Sequence, residues 1–386
     1  MIRFLVISFV SLTMVSCSQL QEKLGNNIQG KSFNIDKLWV RNTLDKDFYG
    51  YRHPHRMSPI LYKGMVIQGN AIDGIGAFDQ NTGNRKWFLN IKGGVEAGAV
   101  IQEDKLYMGA GDGFFYAVEA FSGQVLWKTP INAETLSRPT FYQGVIYFIA
   151  GNNRAYALEA NTGKVKWSYS RQETSTLSIR GGSQPEVSKE TLYLGFSDGT
   201  LVALNLVDGK LKWEKNLNRN RRFRDIDAQP TIDDNRLYVA GFDGGLYCIN
   251  PDTGTLLWQH EQGGFSAATI YEGVVYYTTT DGYVVALDKV SGQVKWRYKL
   301  KVGLGTRPTF FRGLLVFGEY EGDLIALEAR TGKLVGRYSP GRGIMSQPTI
   351  DANTGRTYFI SVNANLFAMK LQWRTNQETW PWDKTL

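Results

Sequence analysis

Three histidines, two cysteines and a series of Asp-Gly pairs are the residues of this chain that could supply catalytic or metal chemistry. His53-Pro54-His55 brings two imidazoles close together, but two ligands separated by a proline make a poor metal site, and a solvated loop is expected there. The third histidine, His260, stands far away in sequence, and no His-x-x-x-His or phosphate-loop pattern accompanies any of them. Asp112-Gly113, Asp198-Gly199, Asp243-Gly244 and Asp281-Gly282 recur at one place in a repeating unit, so they are expected as hairpin turns and not as carboxylate pairs. Cys17 and Cys248 cannot form a metal site together, and Cys248 occupies a position filled by Ala157, Ala203, Ala286 and Ala326 in other copies of that unit, which predicts a buried structural thiol. No catalytic, metal or cofactor residue is assigned on these grounds.

The elements that would position any site come from the repeat. Ala157-Leu158-Glu159-Ala160-Asn161-Thr162-Gly163-Lys164-Val165-Lys166-Trp167 has relatives along the chain, with its glycine at Gly83, Gly123, Gly163, Gly209, Gly254, Gly292 and Gly332. Tryptophan follows four residues later in six of the seven; the last copy carries Gly336. A short apolar strand, a glycine turn and a second alternating strand are preceded in each period by another hairpin, such as Arg138 to Phe148 around Gln143-Gly144. Four antiparallel strands in about 40 residues form one propeller blade, which must stack on neighbours to cover its apolar faces. The last period has three strands, ending with Asn365 to Met369, and the missing Trp-bearing strand stands at the other end of the chain as Lys37-Leu38-Trp39-Val40. An N-terminal strand completing the last blade closes the ring. The expected fold is therefore an all-β, eight-bladed β-propeller over residues 35–371.

The first residues form a separate object. Met1-Ile2-Arg3 is a positive start and Phe4 to Val15 an apolar core too short for a transmembrane helix, so residues 1–16 read as a signal peptide. Met14-Val15-Ser16-Cys17 resembles a bacterial lipobox, with Met where Leu is usual, and implies cleavage before Cys17 and acylation of its thiol. Ser18 after the cysteine favours the outer membrane in the proteobacterial sorting rule. Residues 17–34 then form a polar tether, reaching roughly 20 Å as a coil. The net charge of +8 would suit nucleic acid in a cytosolic protein, but export argues against it. Basic residues are scattered apart from the run Arg219 to Arg224, and residues 372–386 are a short aromatic tail expected to pack across the ring.

Connection lengths point to one face. Trp127 to Pro139 and Trp296 to Pro308 each span 12 residues, whereas Trp167 to Pro185 takes 18, Trp213 to Pro230 takes 17 and Trp39 to Pro59 takes 20. The two enlarged connections at 167–185 and 213–230 lie side by side on consecutive blades, where a rigid scaffold places binding residues. They contain Leu177-Ser178-Ile179-Arg180-Gly181 and Asp225-Ile226-Asp227. The repeat, best seen in Ala286 to Trp296, resembles the pyrroloquinoline-quinone propeller motif, which names a fold repeat and does not establish a cofactor. Quinoprotein dehydrogenases add an adjacent Cys-Cys pair that is absent here. Together the lipobox, tether, blades and both loop motifs resemble the BamB family of propeller lipoproteins of the outer-membrane barrel-assembly (BAM) machinery.

That resemblance implies a non-enzymatic scaffold, lipid-anchored at the outer membrane and facing the periplasm. It implies that Leu177, Ile179, Arg180, Asp225 and Asp227 contact a periplasmic POTRA domain of BamA, two aliphatic anchors being flanked by one cation and two carboxylates that fix register. Arg180 pairing with Asp225 or Asp227 across the loops is an alternative role for the charges. Unfolded outer-membrane proteins are a second partner class, received by strand addition, although the sequence displays no site for it. A quinoprotein-like dehydrogenase and a propeller scaffold of another envelope complex remain the alternative functions.

Overall fold

The computed structural model describes residues 31–45, 53–171, 182–217 and 225–375, which form eight four-stranded antiparallel sheets. Blade 3 typifies them, with strands Thr140–Tyr142, Val145–Ala150, Arg154–Glu159 and Val165–Ser170 running outward from the axis. Its second strand is buried throughout and its third is buried apart from the ends, which fits two strands covered by neighbouring blades on both faces. The outermost strand alternates exposed and half-buried residues. Blades are numbered in chain order, blade 1 starting at Ile60, blade 2 at Ala99, blade 4 at Glu186, blade 5 at Thr231, blade 6 at Thr269, blade 7 at Thr309 and blade 8 at Thr349.

Five of the eight inner strands are tied to the next blade by a threonine hydroxyl. Thr140 Oγ1 donates to Pro185 O at 2.5 Å, Thr269 to Pro308 O at 2.5 Å and Thr309 to Pro348 O at 2.8 Å. Thr349 donates to Pro59 O at 2.6 Å, so the girdle crosses from the last blade to the first.

The repeated tryptophan and glycine meet each other between blades, not within one. Trp127 lies over Gly163, Trp167 over Gly209, Trp213 over Gly254, Trp258 over Gly292, Trp296 over Gly332, Trp87 over Gly123 and Trp39 over Gly83. A Cβ added at any of these glycines would sit 2.5–2.9 Å from indole or neighbouring atoms. Except at Trp87, Nε1 then donates to the carbonyl three residues before the glycine, at 3.0–3.3 Å. A tyrosine of the same blade often donates to that carbonyl too, as Tyr193 does to Pro251 O beside Trp213. Across its own blade the tryptophan faces a small residue, alanine in most copies and Cys248 opposite Trp258. Cys248 is accordingly a buried free thiol. The turn aspartate shapes the hairpin itself. Asp288 Oδ1 accepts the Val290 and Ser291 backbone N–H groups, which with the Ser291 hydroxyl hold its pKa down at about 2.

Closure follows the expected scheme with longer strands. Lys31–Asn42 pairs antiparallel with Asn365–Thr375 and completes blade 8. The pair thus starts in the stretch assigned to the tether and continues past residue 371. Its extra length covers the position where blade 7 lacks tryptophan: Phe33 and Ile35 lie against Gly336, and Phe33 meets Trp373 edge-on at 5.2 Å. Blade 8 joins its outer strands from opposite chain ends and has no glycine turn to receive an indole, so blade 7 needs none.

The docking can be separated from turn strain by paired substitutions. Gly144 has φ +76° and open space around it, whereas Gly163 has φ +71° and Trp127 beside it. Gly144→Ala is expected to cost about 1–2 kcal/mol through the left-handed backbone alone. Gly163→Ala should cost at least about 2 kcal/mol more, because the indole must leave its contact and its hydrogen bond. Urea denaturation of both variants checks this, and equal losses would show that the indole contact contributes nothing.

Candidate functional site

Of the residues expected to form a binding site, the structure describes Asp225 and Asp227. Leu177, Ile179, Arg180, the basic run 219–224, Cys17 and the tail from 376 lie outside the described residues. Asp225 is fully buried and its carbonyl accepts the Phe242 N–H at 3.2 Å. Ile226 wedges between blades 4 and 5, packed with Tyr193, Leu201, Leu237 and Val239. Asp227 turns toward the propeller axis, where it lines a cavity with Arg56 and Tyr320. Burial, and secondarily the charge of Asp225, pushes the Asp227 pKa up to about 7 against the opposing pull of Arg56.

That axial cavity has a volume of about 180 Å³. Its walls come from the last residues before each inner strand. Immediately before the strand-opening proline, Ser58, Arg138, Gln184, Gln229, Arg307 and Gln347 reach the axis. Two residues earlier in the chain, Arg56, Leu136, Asp227, Phe265 and Met345 form a second tier. The residue between the tiers points the other way and secures the blade: the Ser137 hydroxyl donates to Ile149 O and accepts its N–H, and Ser346 does the same with Ile360. Ser-Arg-Pro, Ser-Gln-Pro, Thr-Arg-Pro and Ser-Gln-Pro are thus a second repeat in the sequence, whose middle residue is an axial one. Sequence reasoning misses it because that middle residue varies, although Ser/Thr and Pro frame it.

The cavity is polar and partly wired. Arg307 Nη1 donates to Gln229 Oε1 at 3.2 Å and Nη2 to Ala268 O at 2.9 Å, while Gln229 Nε2 donates to Glu186 Oε2 at 2.8 Å. Burial nevertheless raises the Glu186 pKa. Arg56 stands 3.8 Å from Glu96 and 5.6 Å over the Phe265 ring, reaching from blade 1 toward the opposite side. Arg138 Nε donates to Ala99 O at 3.2 Å.

His55 is a correction to the sequence reading. It is buried rather than solvated, with Nδ1 accepting the Ala71 N–H at 3.1 Å, because Met57 two residues later anchors this connection in the core. Burial and His53 hold its pKa down at about 4, so the ring is neutral at physiological pH. His260 bonds the Tyr277 hydroxyl at 2.6 Å. Among the described residues no three His, Cys, Asp or Glu side chains converge as a metal site.

Known proteins share both the sequence pattern and the fold. The family model described as "Outer membrane protein assembly factor BamB" matches residues 73–298 and 281–380. Curated relatives of that name include one from Yersinia pestis, 27% identical over 69% of this chain and 62% of its own, and one from Salmonella typhimurium, 30% identical over 66% and 58%. The alignments therefore span about three fifths of those relatives. Among solved structures, BamB from Moraxella catarrhalis superposes with a TM-score of 0.74 at 20% identity, covering 87% of this chain and all of that one. A quinohemoprotein alcohol dehydrogenase from Pseudomonas putida reaches 0.71 at 15% identity over 87% of this chain and 76% of its own, a likeness of fold.

The Asp227 carboxyl should leave a signature in stability. Its pKa is raised from 3.8 in the folded state, so between about pH 4 and 7 the folded protein holds a proton that the unfolded chain has released. Its contribution to stability therefore falls as pH rises through that window. Asp227→Asn should be more stable than wild type at pH 8, by about 2–4 kcal/mol, with the gap closing at pH 4. Scanning calorimetry at both pH values measures it; a gap independent of pH would contradict the burial of this charge.

Proposed function

The chain belongs to the BamB family of outer membrane protein assembly factors, and from that premise we propose that it is a non-catalytic scaffold of the β-barrel assembly machinery. It is lipid-anchored through Cys17 at the outer membrane, faces the periplasm and docks on the POTRA region of a BamA-like barrel protein. Through that complex it assists assembly and insertion of outer-membrane proteins. The observation that carries the docking face is that the enlarged connections join strands ending at Ser170 and Asn216 to the inner strands of blades 4 and 5, consecutive sheets whose corresponding strand ends lie on one side of the disc. Leu177 and Ile179 supply apolar anchors there, and Arg180, Asp225 and Asp227 supply charge. Because Asp225 is buried and Asp227 turns to the axis, their charge acts from beneath the rim and not by direct contact on it.

The start of the closing strand supports this division. Lys31–Asn42 runs antiparallel to Asn365–Thr375 and leads from Asn42 into the connection to blade 1. Lys31 therefore starts on the face of the glycine turns, opposite the long connections. A tether leaving from that side points the docking loops away from the membrane to which Cys17 is attached.

Two experiments test the proposal. Titrating a purified BamA periplasmic region against Leu177→Ala with Ile179→Ala should show a loss of about 2–4 kcal/mol in binding, with melting unchanged. Charge reversal at Asp281, in a turn of blade 6, serves as the control and should do nothing. Equal affinity of the double variant and wild type would remove the site, and no binding by wild type would remove the partner. Separately, Cys17→Ala should yield a folded propeller that lacks acyl mass and leaves the membrane fraction; unchanged mass and fractionation would contradict lipidation.

A further inference from the structure

We infer that the axial cavity is a carboxylate-binding site built on the Arg138 guanidinium, with Gln184 and Ser58 as flanking donors. The eight-bladed ring sends side chains toward the axis from the position before the inner strand, and two of these are arginines on blades 3 and 7. They differ in state. Arg307 is engaged on both terminal nitrogens, by Gln229 and by the Ala268 carbonyl. Arg138 uses only Nε, and its two terminal nitrogens have no hydrogen-bond partner among the described residues. The Gln184 amide and the Ser58 hydroxyl, which line the same cavity, are likewise unengaged among the described residues.

The charge balance makes the same point. Arg307 is close enough to Arg138 for the two cations to disfavour each other. Glu186 offsets Arg307, but among the described residues no carboxylate offsets Arg138. Arg138 is exposed to solvent where it lines the cavity, so its terminal nitrogens are open to a guest and a charged acceptor there gains a charge-assisted pair. The planar fork of two parallel N–H donors fits a carboxylate in bidentate fashion, and neutral amide and hydroxyl donors beside it complete the coordination of a second oxygen. The cavity lies at the ends of the inner strands where the long connections enter, so it opens on the face proposed for docking. The carboxylate therefore comes either from a small organic acid or from an acidic side chain of the docked partner.

Calorimetric titration of succinate and of inorganic phosphate into the mature chain tests the site independently of any partner. Succinate should bind once per chain, more tightly than phosphate, and Arg138→Gln should weaken it at least tenfold. Because Arg138 makes a single internal hydrogen bond, this variant should melt no lower than wild type. Adding the BamA periplasmic region separates the two sources: competition with succinate, together with weaker partner binding by Arg138→Gln, assigns the carboxylate to the partner. Succinate binding without competition assigns it to a small molecule. The inference is overturned if succinate fails to bind and Arg138→Gln leaves partner affinity unchanged, if succinate binding is indifferent to Arg138→Gln, or if phosphate binds more tightly than succinate.

Discussion

The contact between a tryptophan of one blade and a glycine turn of the next is the interaction on which the rest of the molecule depends. A four-stranded sheet this short has apolar residues on both faces and no stability alone, so it needs a rule for seating its neighbour. The indole supplies area and a single donor, and the turn supplies a flat face without Cβ and a carbonyl in reach. Each contact combines about 1.5–3 kcal/mol of apolar burial with about 1 kcal/mol from the hydrogen bond. Repetition around the ring fixes the same relation between most neighbouring blades. The exception at Gly336 follows the same logic, since the blade it faces has no such turn and Phe33 and Ile35 occupy the space instead.

Much of this was legible in the sequence, and the parts that were not have physical reasons. Blade number and ring closure followed from the glycine period and from an orphan Trp strand at the N-terminus, because a strand pattern alternates visibly and a tight turn announces itself. The partner of the tryptophan was hidden. Gly163 and Trp167 stand four residues apart in one hairpin, yet Trp167 touches Gly209 and Gly163 receives Trp127. Spacing within a repeat records which residues are needed once per blade and says nothing about which copy they meet.

The site was less legible than the fold. A loop rich in charge suggests an outward surface, but Asp225 is buried, Ile226 is wedged between blades and Asp227 faces the axis. Alternation along those three residues, which makes a strand amphipathic, here distributes one short motif among three environments. His55 misled for a similar reason, since a Pro-flanked histidine reads as solvent-exposed unless the burial of Met57 is known. The axial residues were concealed by their variety: Arg138, Gln184, Gln229, Arg307 and Gln347 share a position and not a chemistry.

That variety follows from the number of blades. An eight-membered ring holds its inner strands too far apart for short apolar side chains to meet across the axis, so the space is spanned by long ones or left to water. Long side chains able to end in a wet channel are those with an apolar stem and a polar head, which is why arginine and glutamine recur there, with leucine and methionine in the second tier. The charges at the axis are thus a by-product of closing a wide ring, and their arrangement is not neutral. Glu186 is reached through Gln229 and offsets Arg307, and Asp227 faces Arg56, whereas Arg138 has no carboxylate among the described residues to offset it. Closing a wide ring therefore leaves at its centre one arginine whose terminal nitrogens face solvent and not a carboxylate among the described residues.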